Sequence, residues 1–321
     1  MENRTAVEAT FYHMRAYCMP VVYLCGLLGN TASLLVCNRL RRMSSSWHLM
    51  ALAFYDSVCL LSYALIWSGD FAGVQVFGTA GGCPAIQYAL YVAGTLSAWS
   101  VTAFTVERFV VVYYPLHRAA MCTPRKTKLL LLLLLPYPLL VNVPVLFMWK
   151  VQPDGLCQLE KTYVQLNSVL GAVDTLTACV IPAVTIFTLN ALIAHRVGQQ
   201  QESNLRRHTA GDPSVTRSLM IISTVFAVLN LPSYVIRCKV QVIMALGRED
   251  LWTPVDNFVE HLAYVLYECN FAIDFVLYNL SSKNFRKIAK EIFFKKSLRT
   301  DSANRSSQRP TAQQTTLTTT M

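Results

Sequence analysis

The sequence has 321 residues, of which 54% are hydrophobic and 14% are charged, and its formal net charge is +10. Soluble domains carry about 25% charged residues, so this composition excludes an ordinary soluble protein. The basic residues are spread over several segments instead of forming one surface, which argues against a nucleic-acid-binding protein.

The apolar residues fall into seven blocks, each long enough for one membrane crossing. A transmembrane helix needs about 20 mostly apolar residues, and only helices and closed barrels satisfy their backbone polar groups in lipid. The predicted spans are 17–38, 47–67, 85–112, 129–149, 166–194, 218–236 and 255–280. The sequence therefore predicts an all-α membrane protein, a bundle of seven transmembrane helices with no soluble domain.

The positions of the basic residues predict the orientation of the chain. Most of the 28 Lys and Arg follow the first, third, fifth and seventh blocks, and such segments face the cytoplasm. We therefore expect a multi-pass plasma-membrane protein with its N-terminus outside. Residues 1–16 are then a short extracellular N-terminus and 17–280 the bundle, while 281–296 form an amphipathic eighth helix on the inner leaflet and 297–321 a disordered cytoplasmic tail.

Two features mark the predicted outer face. Cys83 and Cys157 both lie there, in an oxidising environment where a disulfide persists, although a membrane cysteine can also be a small apolar filler. Asn3 begins the tripeptide Asn-Arg-Thr, which fits the N-glycosylation pattern. Its closeness to the chain end is the argument against its use.

Polar side chains inside the apolar blocks are costly in lipid and mark functional positions. Asn270, Asp274 and Tyr278 recur at every fourth position, so they share one face of the seventh helix. Cys83 and Arg108 are separated by roughly 25 residues, or about 37 Å of helix, so they lie at opposite membrane surfaces. The remaining polar positions are Asn30, Asp56, Ser97, Glu107, Asp174, Asn230 and Glu268.

The seven spans and a set of motif residues resemble the rhodopsin-like G-protein-coupled receptors. The motif residues are Gly29-Asn30, Asp56, Cys83, Glu107-Arg108-Phe109, Pro182, Pro232, and Asp274 with Tyr278. The resemblance covers nearly the whole chain and rests on the joint order and spacing of these residues. It implies a receptor that couples an extracellular ligand to heterotrimeric G proteins, and to arrestin through its Ser/Thr-rich tail.

The resemblance also implies roles for particular residues. Arg108 is expected to contact neighbouring helices at rest and the G protein when active, with Glu107 holding it in the resting state. The expected coupling and activation residues are Glu107, Arg108, Phe109, Asn230, Pro232, Asp274 and Tyr278. A disulfide between Cys83 and Cys157 is also implied. A sodium ion that favours the inactive state is expected at Asp56, Ser97, Asn270 and Asp274. The alternative is a proton shared between the two aspartates.

The chain departs from the family pattern in helices 3, 5, 6 and 7. Phe109 and Asn190 each stand where the family usually has tyrosine. Leu229-Asn230-Leu231-Pro232 replaces Cys-Trp-x-Pro, so an aromatic side chain is missing from helix 6. Asp274-Phe275 replaces Asn-Pro in helix 7. The resemblance therefore predicts the class of receptor more firmly than the details of its activation.

The ligand is expected to be a short peptide. The stretches "LNLPSY", "NFAIDFVLY" and "CTPRKTK" resemble invertebrate neuropeptide receptors of the FMRFamide type. Within the family pattern, Leu90 in place of an acid disfavours an amine ligand, and Glu268 in place of a lysine disfavours retinal. Acids and aromatics suit an amidated peptide ending in Arg-Phe. The expected ligand-binding residues are Trp67, Gln87, Tyr91, Asp174, Arg237, Tyr264 and Glu268. The alternative is that the acids pair with Arg237 or Lys239 inside the receptor.

The other classes of protein to be considered are a transporter, an enzyme and a receptor for a small molecule. A proton-coupled transporter would use the intramembrane acids, but the inverted repeats typical of transporters are not evident in the sequence. The sequence has no H-E-x-x-H, G-x-S-x-G or Cys/His metal spacing, so we expect no enzyme and no cofactor apart from the sodium ion. A chemosensory or other small-molecule receptor of the same fold remains the alternative to a peptide receptor.

Overall fold

The computed structural model describes residues 9–74, 76–153, 155–202, 213–281 and 283–295. The described residues do not include Asn3, residues 203–212 between the fifth and sixth spans, or the tail from residue 296 onward. The predictions of glycosylation and of a disordered tail therefore fall on parts of the chain that the structure does not describe.

The first three helices coincide with the first three predicted spans and extend beyond them. Helix α1 is Ala9–Arg39 and contains a π-helical turn, Met14–Cys18. Helix α2 is Ser44–Ala72, and helix α3 is Gly82–Tyr113. A short 3-10 turn, Pro115–His117, and one α-helical turn, Arg118–Met121, follow α3. The helices begin earlier and end later than the apolar blocks because helical hydrogen bonding continues into the polar flanks.

The fourth span is helical but interrupted. Helix α4 consists of Pro124–Leu134, Pro136–Val141 and Val145–Met148. Three prolines at 136, 138 and 144 lie at or near the interruptions. Proline has no backbone N–H and its ring crowds the preceding turn, so it breaks or kinks a helix. The single predicted helix over 129–149 is therefore replaced by three shorter pieces.

A β-hairpin follows α4, which the sequence did not predict. Strand β1 is Trp149–Val151, strand β2 is Cys157–Leu159, and the two are antiparallel. Gly155 makes the turn with a φ of +81°, a conformation that favours glycine. Lys150 and Glu160 form an ion pair beside the strands, and the hydrogen bond to Glu160 raises the pKa of Lys150.

The fifth span contains a π-helical segment. Helix α5 comprises Val164–Asp174, the π-helical segment Thr175–Val180, and Ile181–Glu202, and a 3-10 turn, Lys161–Tyr163, precedes it. Pro182 directly follows the start of the last piece and cannot donate the backbone hydrogen bond of a regular helix. The helix is therefore widened on the N-terminal side of Pro182.

The last two spans are long helices that differ in whether a proline lies in the helix interior. Helix α6 is Pro213–Leu246 with Pro232 in its interior, and helix α7 is Pro254–Ser281. A 3-10 turn, Glu249–Leu251, connects them. Because Phe275 stands where the family usually has proline, α7 keeps its backbone N–H at that position.

A short helix follows the bundle, within the range predicted for the eighth helix. Helix α8 is Lys283–Lys290, and a π-helical turn, Glu291–Lys295, continues it. Phe285 and Ala289 of α8 are buried in one cluster with Tyr278 of α7 and Val36 of α1. The first turns of α8 are thus packed against the bundle, and the contact of this helix with a membrane remains a prediction.

Helix α3 lies at the centre of the packing, in contact with α2 and α5, while α6 packs along α7 and α7 packs against α1. The approach of α1 to its neighbours depends on glycine. A Cβ atom on Gly26 would lie 2.6 Å from Leu60 and 2.7 Å from Ala272, and one on Gly29 would lie 3.0 Å from Phe275. Substitution at Gly26 would therefore force α1 away from α2 and α7.

The surface of the bundle suits a lipid environment. Five helices, α1 to α5, are long and apolar enough to cross a membrane, judged on the described residues. Large apolar side chains are exposed on their outer surfaces, for example Leu28, Leu61, Leu140 and Val184. Helices α6 and α7, with 34 and 28 residues, exceed the roughly 20 residues that a crossing requires.

Candidate functional site

A disulfide joins the hairpin to the start of α3. Cys83 and Cys157 are bonded, with their Cα atoms 5.5 Å apart, so the predicted disulfide is confirmed. The bond fixes β2 against the first turn of α3, and β1 of the same hairpin carries Trp149, which lines the cavity described next. The disulfide thus holds one wall of that cavity in place.

A cavity of about 330 Å³ lies between the helices on the side of the hairpin. Its charged lining residues are Arg15, Asp174, Arg237 and Glu268. Its aromatic lining residues are Tyr63, Tyr91, Trp149, Phe226, Tyr234, Tyr264, Tyr267 and Phe271. Two acids, two arginines and eight aromatic side chains thus line the same space, a combination that can bind a ligand with both a charge and a ring.

The first acid, Asp174 on α5, is already paired with side chains of the bundle. Its Oδ2 accepts a hydrogen bond from Arg237 of α6 at 2.9 Å, and its Oδ1 accepts one from Thr95 at 3.4 Å. The Arg237 guanidinium also lies 5.4 Å from the centre of the Tyr267 ring. Farther out, Lys239 pairs with Asp256 at 2.6 Å. Of the two acids predicted to bind ligand, Asp174 thus matches the alternative of pairing with Arg237, whereas the partner of Lys239 is an acid outside that set.

The second acid, Glu268 on α7, is held less firmly. Tyr23 of α1 donates a hydrogen bond to its Oε2. Arg15 lies 3.8 Å from its Oε1, at the outer limit of an ion pair. The Glu268 side chain is 3% exposed, whereas that of Arg15 is 42% exposed. Glu268 therefore has one close partner and one distant, half-exposed one.

The structure brings together six of the seven residues predicted to bind ligand. Gln87, Tyr91, Asp174, Arg237, Tyr264 and Glu268 line the cavity. Trp67 does not line it. Its Nε1 donates to the backbone oxygen of Arg15 at 3.1 Å, and its ring stacks on Phe71. Trp67 is therefore placed to support Arg15 instead of contacting a ligand in the cavity.

A second polar cluster lies deeper in the bundle, at the residues predicted to hold sodium. Ser97 of α3 donates to Asp56 of α2 at 2.6 Å, and Asp56 interacts with Asp274 of α7. Tyr278 donates to Asp274 at 3.4 Å. Asp56, Ser97, Asn270 and Asp274 are all buried. Within the described residues, two buried oxygens of this cluster, Asp56 Oδ2 and Asn270 Oδ1, have no hydrogen-bond partner.

At the opposite end of the bundle, Glu107 connects four helical partners. Its Oε1 accepts hydrogen bonds from Ser44 at 2.9 Å and from Arg108 at 3.0 Å. Its Oε2 lies 3.2 Å from Nε2 of His48 and 3.4 Å from the hydroxyl of Thr127. The carboxylate thus joins α3 to α2 through two residues and to α4 through one.

Arg108 is held between Glu107 and an aromatic ring. Its guanidinium lies 5.0 Å from the centre of the Phe104 ring, and its Nε has no hydrogen-bond partner among the described residues. Phe109, the next residue, stacks on Tyr113 with ring centres 4.5 Å apart. Arg108 is therefore nearly buried at this end of the bundle with part of its hydrogen-bonding capacity unused.

The helix 6 residues of the predicted activation set are placed around Pro232. Asn230 donates to the backbone oxygen of Phe226 at 2.7 Å and also lines the cavity. One turn beyond, Ser233 donates to the backbone oxygen of Ala263 on α7 at 2.8 Å. Asn230 therefore replaces the missing aromatic with a polar group between the ligand cavity and the deeper cluster.

Comparison with known proteins shows the family. The sequence profile of the family described as "7 transmembrane receptor (rhodopsin family)" matches residues 31–278, and the chain belongs to that family. The chain is therefore a multi-pass membrane protein with a seven-helix bundle, as predicted. Because the family is one of receptors, the expectation that the chain is not an enzyme is also confirmed, and the transporter alternative is excluded.

Individual relatives include receptors named for neuropeptides. The chain is 24% identical to the FMRFamide receptor of Drosophila melanogaster over 304 residues, which is 88% of this chain and 54% of that protein. It is 25% identical to somatostatin receptor type 4 of Rattus norvegicus over 278 residues, covering 83% and 69% of the two chains. The thyrotropin-releasing hormone receptor of Mus musculus is 34% identical over 113 residues, or 34% of this chain and 28% of that protein. The chain thus spans about half the length of the Drosophila relative, and the predicted resemblance to neuropeptide receptors is confirmed.

Proposed function

We propose that this chain is a cell-surface receptor that binds a short peptide in the cavity and activates heterotrimeric G proteins. The observation that carries the proposal is the pairing of two sites in one bundle. A cavity with charged and aromatic walls lies beside the disulfide, and the Glu107-Arg108 pair lies at the opposite end of α3. The relatives named as the FMRFamide receptor and somatostatin receptor type 4 add support.

The cavity favours the end of an amidated peptide with an arginine and an aromatic residue. A buried carboxylate forms strong, charge-assisted hydrogen bonds with a guanidinium. The ring of tyrosines around Phe271 offers apolar faces and edges to a phenyl group. The volume of about 330 Å³ is near the lower end of the range of about 300–1,000 Å³ for small-ligand pockets. The last one or two residues of a peptide match that space, with the preceding residues nearer the hairpin.

The other end of the bundle supports coupling to a G protein. Arg108 is a nearly buried cation whose Nε is unpaired among the described residues, and separation of α3 from its neighbours would expose it to a partner. In the same proposal the N-terminus is extracellular with sugar on Asn3, helix α8 lies on the inner leaflet of the plasma membrane, and the phosphorylated tail recruits arrestin.

The deeper cluster supports an allosteric sodium ion. Sodium takes oxygen ligands, and Asp56, Ser97, Asn270 and Asp274 offer carboxylate, hydroxyl and amide oxygens. The two oxygens of this cluster that lack a hydrogen-bond partner, Asp56 Oδ2 and Asn270 Oδ1, fit such an ion. Because these ligands come from α2, α3 and α7, a bound sodium ion stabilises the one arrangement of helices in which they converge.

The test is a ligand screen on cells that express the receptor. A library of short amidated peptides and a library of non-peptide small molecules are applied, and calcium and cAMP are measured. The expected result is a dose-dependent response to at least one peptide that carries arginine and an aromatic residue near its C-terminus. Responses confined to non-peptide compounds would favour the chemosensory alternative.

A matched pair of variants tests the coupling role in the same cells. Arg108→Ala is expected to lower the maximal response at least tenfold while surface staining of an N-terminal tag in unpermeabilised cells stays unchanged. Arg39→Ala, a change at an exposed arginine at the end of α1, is the control and is expected to keep the response. An Arg108→Ala receptor that signals normally would contradict the proposed role of Arg108.

A further inference from the structure

We infer that Glu268 is the anion that receives a cationic group of the ligand, and that Arg15 occupies this place in the ligand-free receptor. The ligand class is then a molecule with a guanidinium or ammonium group next to an aromatic ring. The inference rests on the proposed function, because it concerns the ligand of the same cavity. The contacts of Glu268 and Arg15 from which it is argued are observed in the structure.

The first step is the choice between two acids. Asp174 and Glu268 both line the cavity, but Asp174 already binds Arg237 at 2.9 Å and Thr95 at 3.4 Å. A ligand cation at Asp174 would separate Arg237 from its carboxylate and leave it in the bundle without its acid. This pair includes a direct hydrogen bond, and the Asp174 side chain is only 10% exposed, so a ligand cation would first have to break that contact. Asp174 is therefore a poor receiver for a cation.

The second step concerns the partner of Glu268. The Arg15 guanidinium lies 3.8 Å from Glu268 Oε1, and its side chain is 42% exposed. At that distance the two groups are beyond hydrogen-bond range, and the half-exposed Arg15 side chain can be hydrated when a ligand cation takes its place beside Oε1. Tyr23 stays in place and continues to donate to Oε2. Glu268 can therefore exchange the cation at Oε1 without losing its other hydrogen bond.

The third step is that Arg15 is held by its backbone at the outer rim of the cavity. It lies in the π-helical turn Met14–Cys18 near the outer end of α1, and its backbone oxygen accepts a hydrogen bond from Trp67 of α2. This contact anchors the main chain of Arg15 while its side chain reaches from the rim towards the cavity. Arg15 is thus a cation tethered at the entrance, where a ligand cation would compete with it.

The fourth step is the surroundings of the carboxylate. Phe271 lies on the same helix as Glu268, and the Tyr267 and Tyr63 rings lie with their centres 5.0 Å and 6.3 Å from that of Phe271. Aromatic faces attract a cation and also pack against a ligand ring. A ligand with one positive charge replaces the charge of Arg15, whereas an uncharged ligand would leave Glu268 buried without its cation.

The test measures binding to the purified full-length receptor by its thermal unfolding midpoint. The two probes are the dipeptide amides N-acetyl-Arg-Phe-NH₂ and N-acetyl-citrulline-Phe-NH₂, which have nearly the same shape and differ in charge. A compound that binds only the folded state raises the midpoint according to its concentration and affinity. We expect the arginine probe to bind the unmutated receptor at least tenfold more tightly than the citrulline probe.

Three variants locate the effect. Glu268→Gln is expected to bind the two probes equally. Arg15→Gln is expected to bind the arginine probe severalfold more tightly, because the internal competitor has been removed. Glu260→Gln is the matched control, since Glu260 lies on the same helix, does not line the cavity, and undergoes the same chemical change. It is expected to keep the preference of the unmutated receptor. If Glu268→Gln does not fold, Glu268→Asp replaces it, with a weakened preference expected.

The inference is overturned if the unmutated receptor and Arg15→Gln bind both probes equally, or bind neither. It is also overturned if Glu268→Gln keeps the preference for arginine. Failure of the proposed function looks different, since it is the absence of any signal in cells. Preference for the arginine probe in a receptor that never signals would leave the inference standing and remove the proposed function.

Discussion

Glu107 has four side-chain partners at the end of the bundle opposite the cavity. The sequence predicted that it holds Arg108, and the structure adds His48, Ser44 and Thr127 as partners. A buried carboxylate with several donors is stabilised by each of them, and removal of one donor costs more than an average hydrogen bond. Glu107 thus links α3 to α2 and α4 in addition to its neighbour in the chain.

Substitution of His48 by alanine tests this link. We expect His48→Ala to lower the stability of the purified receptor by about 1–3 kcal/mol, because a buried partner of Glu107 is lost together with packing against Phe104. The measurement is the thermal unfolding midpoint of the single variants and of the double variant with Glu107→Gln. The double variant is expected to be less destabilised than the sum of the singles. His195→Ala, at an exposed histidine, is the control, and simple additivity would contradict the link.

The sequence predicted which residues share a face of one helix, but it did not predict which residues contact each other between helices. The spacing of Asn270, Asp274 and Tyr278 predicted one shared face, and all three are buried. The contacts of Arg15 with Glu268 and of His48 with Glu107 join residues far apart in the chain. They depend on how each helix is rotated about its axis and on its depth, which one sequence alone does not determine.

At the scale of secondary-structure elements, the hairpin is attached by the disulfide to α3 at the entrance of the cavity. Cys157 opens β2, Trp149 opens β1 and lines the cavity, and the bond to Cys83 attaches both strands to α3. The hairpin alone has only two short strands, and isolated hairpins are marginally stable. The disulfide therefore determines where the hairpin lies over the cavity.

Removal of either cysteine of the disulfide is expected to destabilise the protein to the same extent, because each substitution breaks the same bond. The bond spans 74 residues, and the chain-entropy estimate for a loop of that length is about 4 kcal/mol. Cys83→Ser and Cys157→Ser should each lower the thermal midpoint and the surface level of the receptor, and the double variant should resemble either single one. Cys25→Ser, at an exposed free cysteine, is the control. Additive losses in the double variant would show that the cysteines act separately.

Apolar length predicted the transmembrane elements well because it reflects the thickness of the bilayer. It does not report local geometry, so the pieces of α4 and the π-helical turns of α1 and α5 were not predicted, although Pro136 and Pro182 mark two of these places. The hairpin escaped prediction because its strands have three residues each, too few for an alternating pattern.

Across the whole molecule, the proposed sodium ion connects three helices. We expect the thermal midpoint of the receptor to be several degrees higher in sodium chloride than in N-methylglucamine chloride at equal ionic strength. If sodium prefers the resting arrangement, agonist affinity falls in sodium, because an ion shifts the equilibrium towards the state that binds it better.

Asp56→Asn is the variant that tests the site, and it is expected to abolish both effects of sodium. Asp250→Asn makes the same chemical change at an exposed acid outside the bundle and should keep both. Equal midpoints and equal agonist affinities in the two salts, for the unmutated receptor, would instead favour a proton shared between Asp56 and Asp274.

The unbroken backbone of α7 has a mechanical consequence. With phenylalanine instead of proline at position 275, α7 keeps a continuous helical backbone from Pro254 to Ser281 and has no proline at which its C-terminal half could bend separately. A movement of α7 against α1 would therefore be a rigid-body rotation of the whole helix. Its pivot would lie where Gly26 and Gly29 bring the two helices close together. Glu268 and Tyr278 lie on opposite sides of this pivot, so a rigid rotation of α7 caused by a cation at Glu268 would also displace Tyr278.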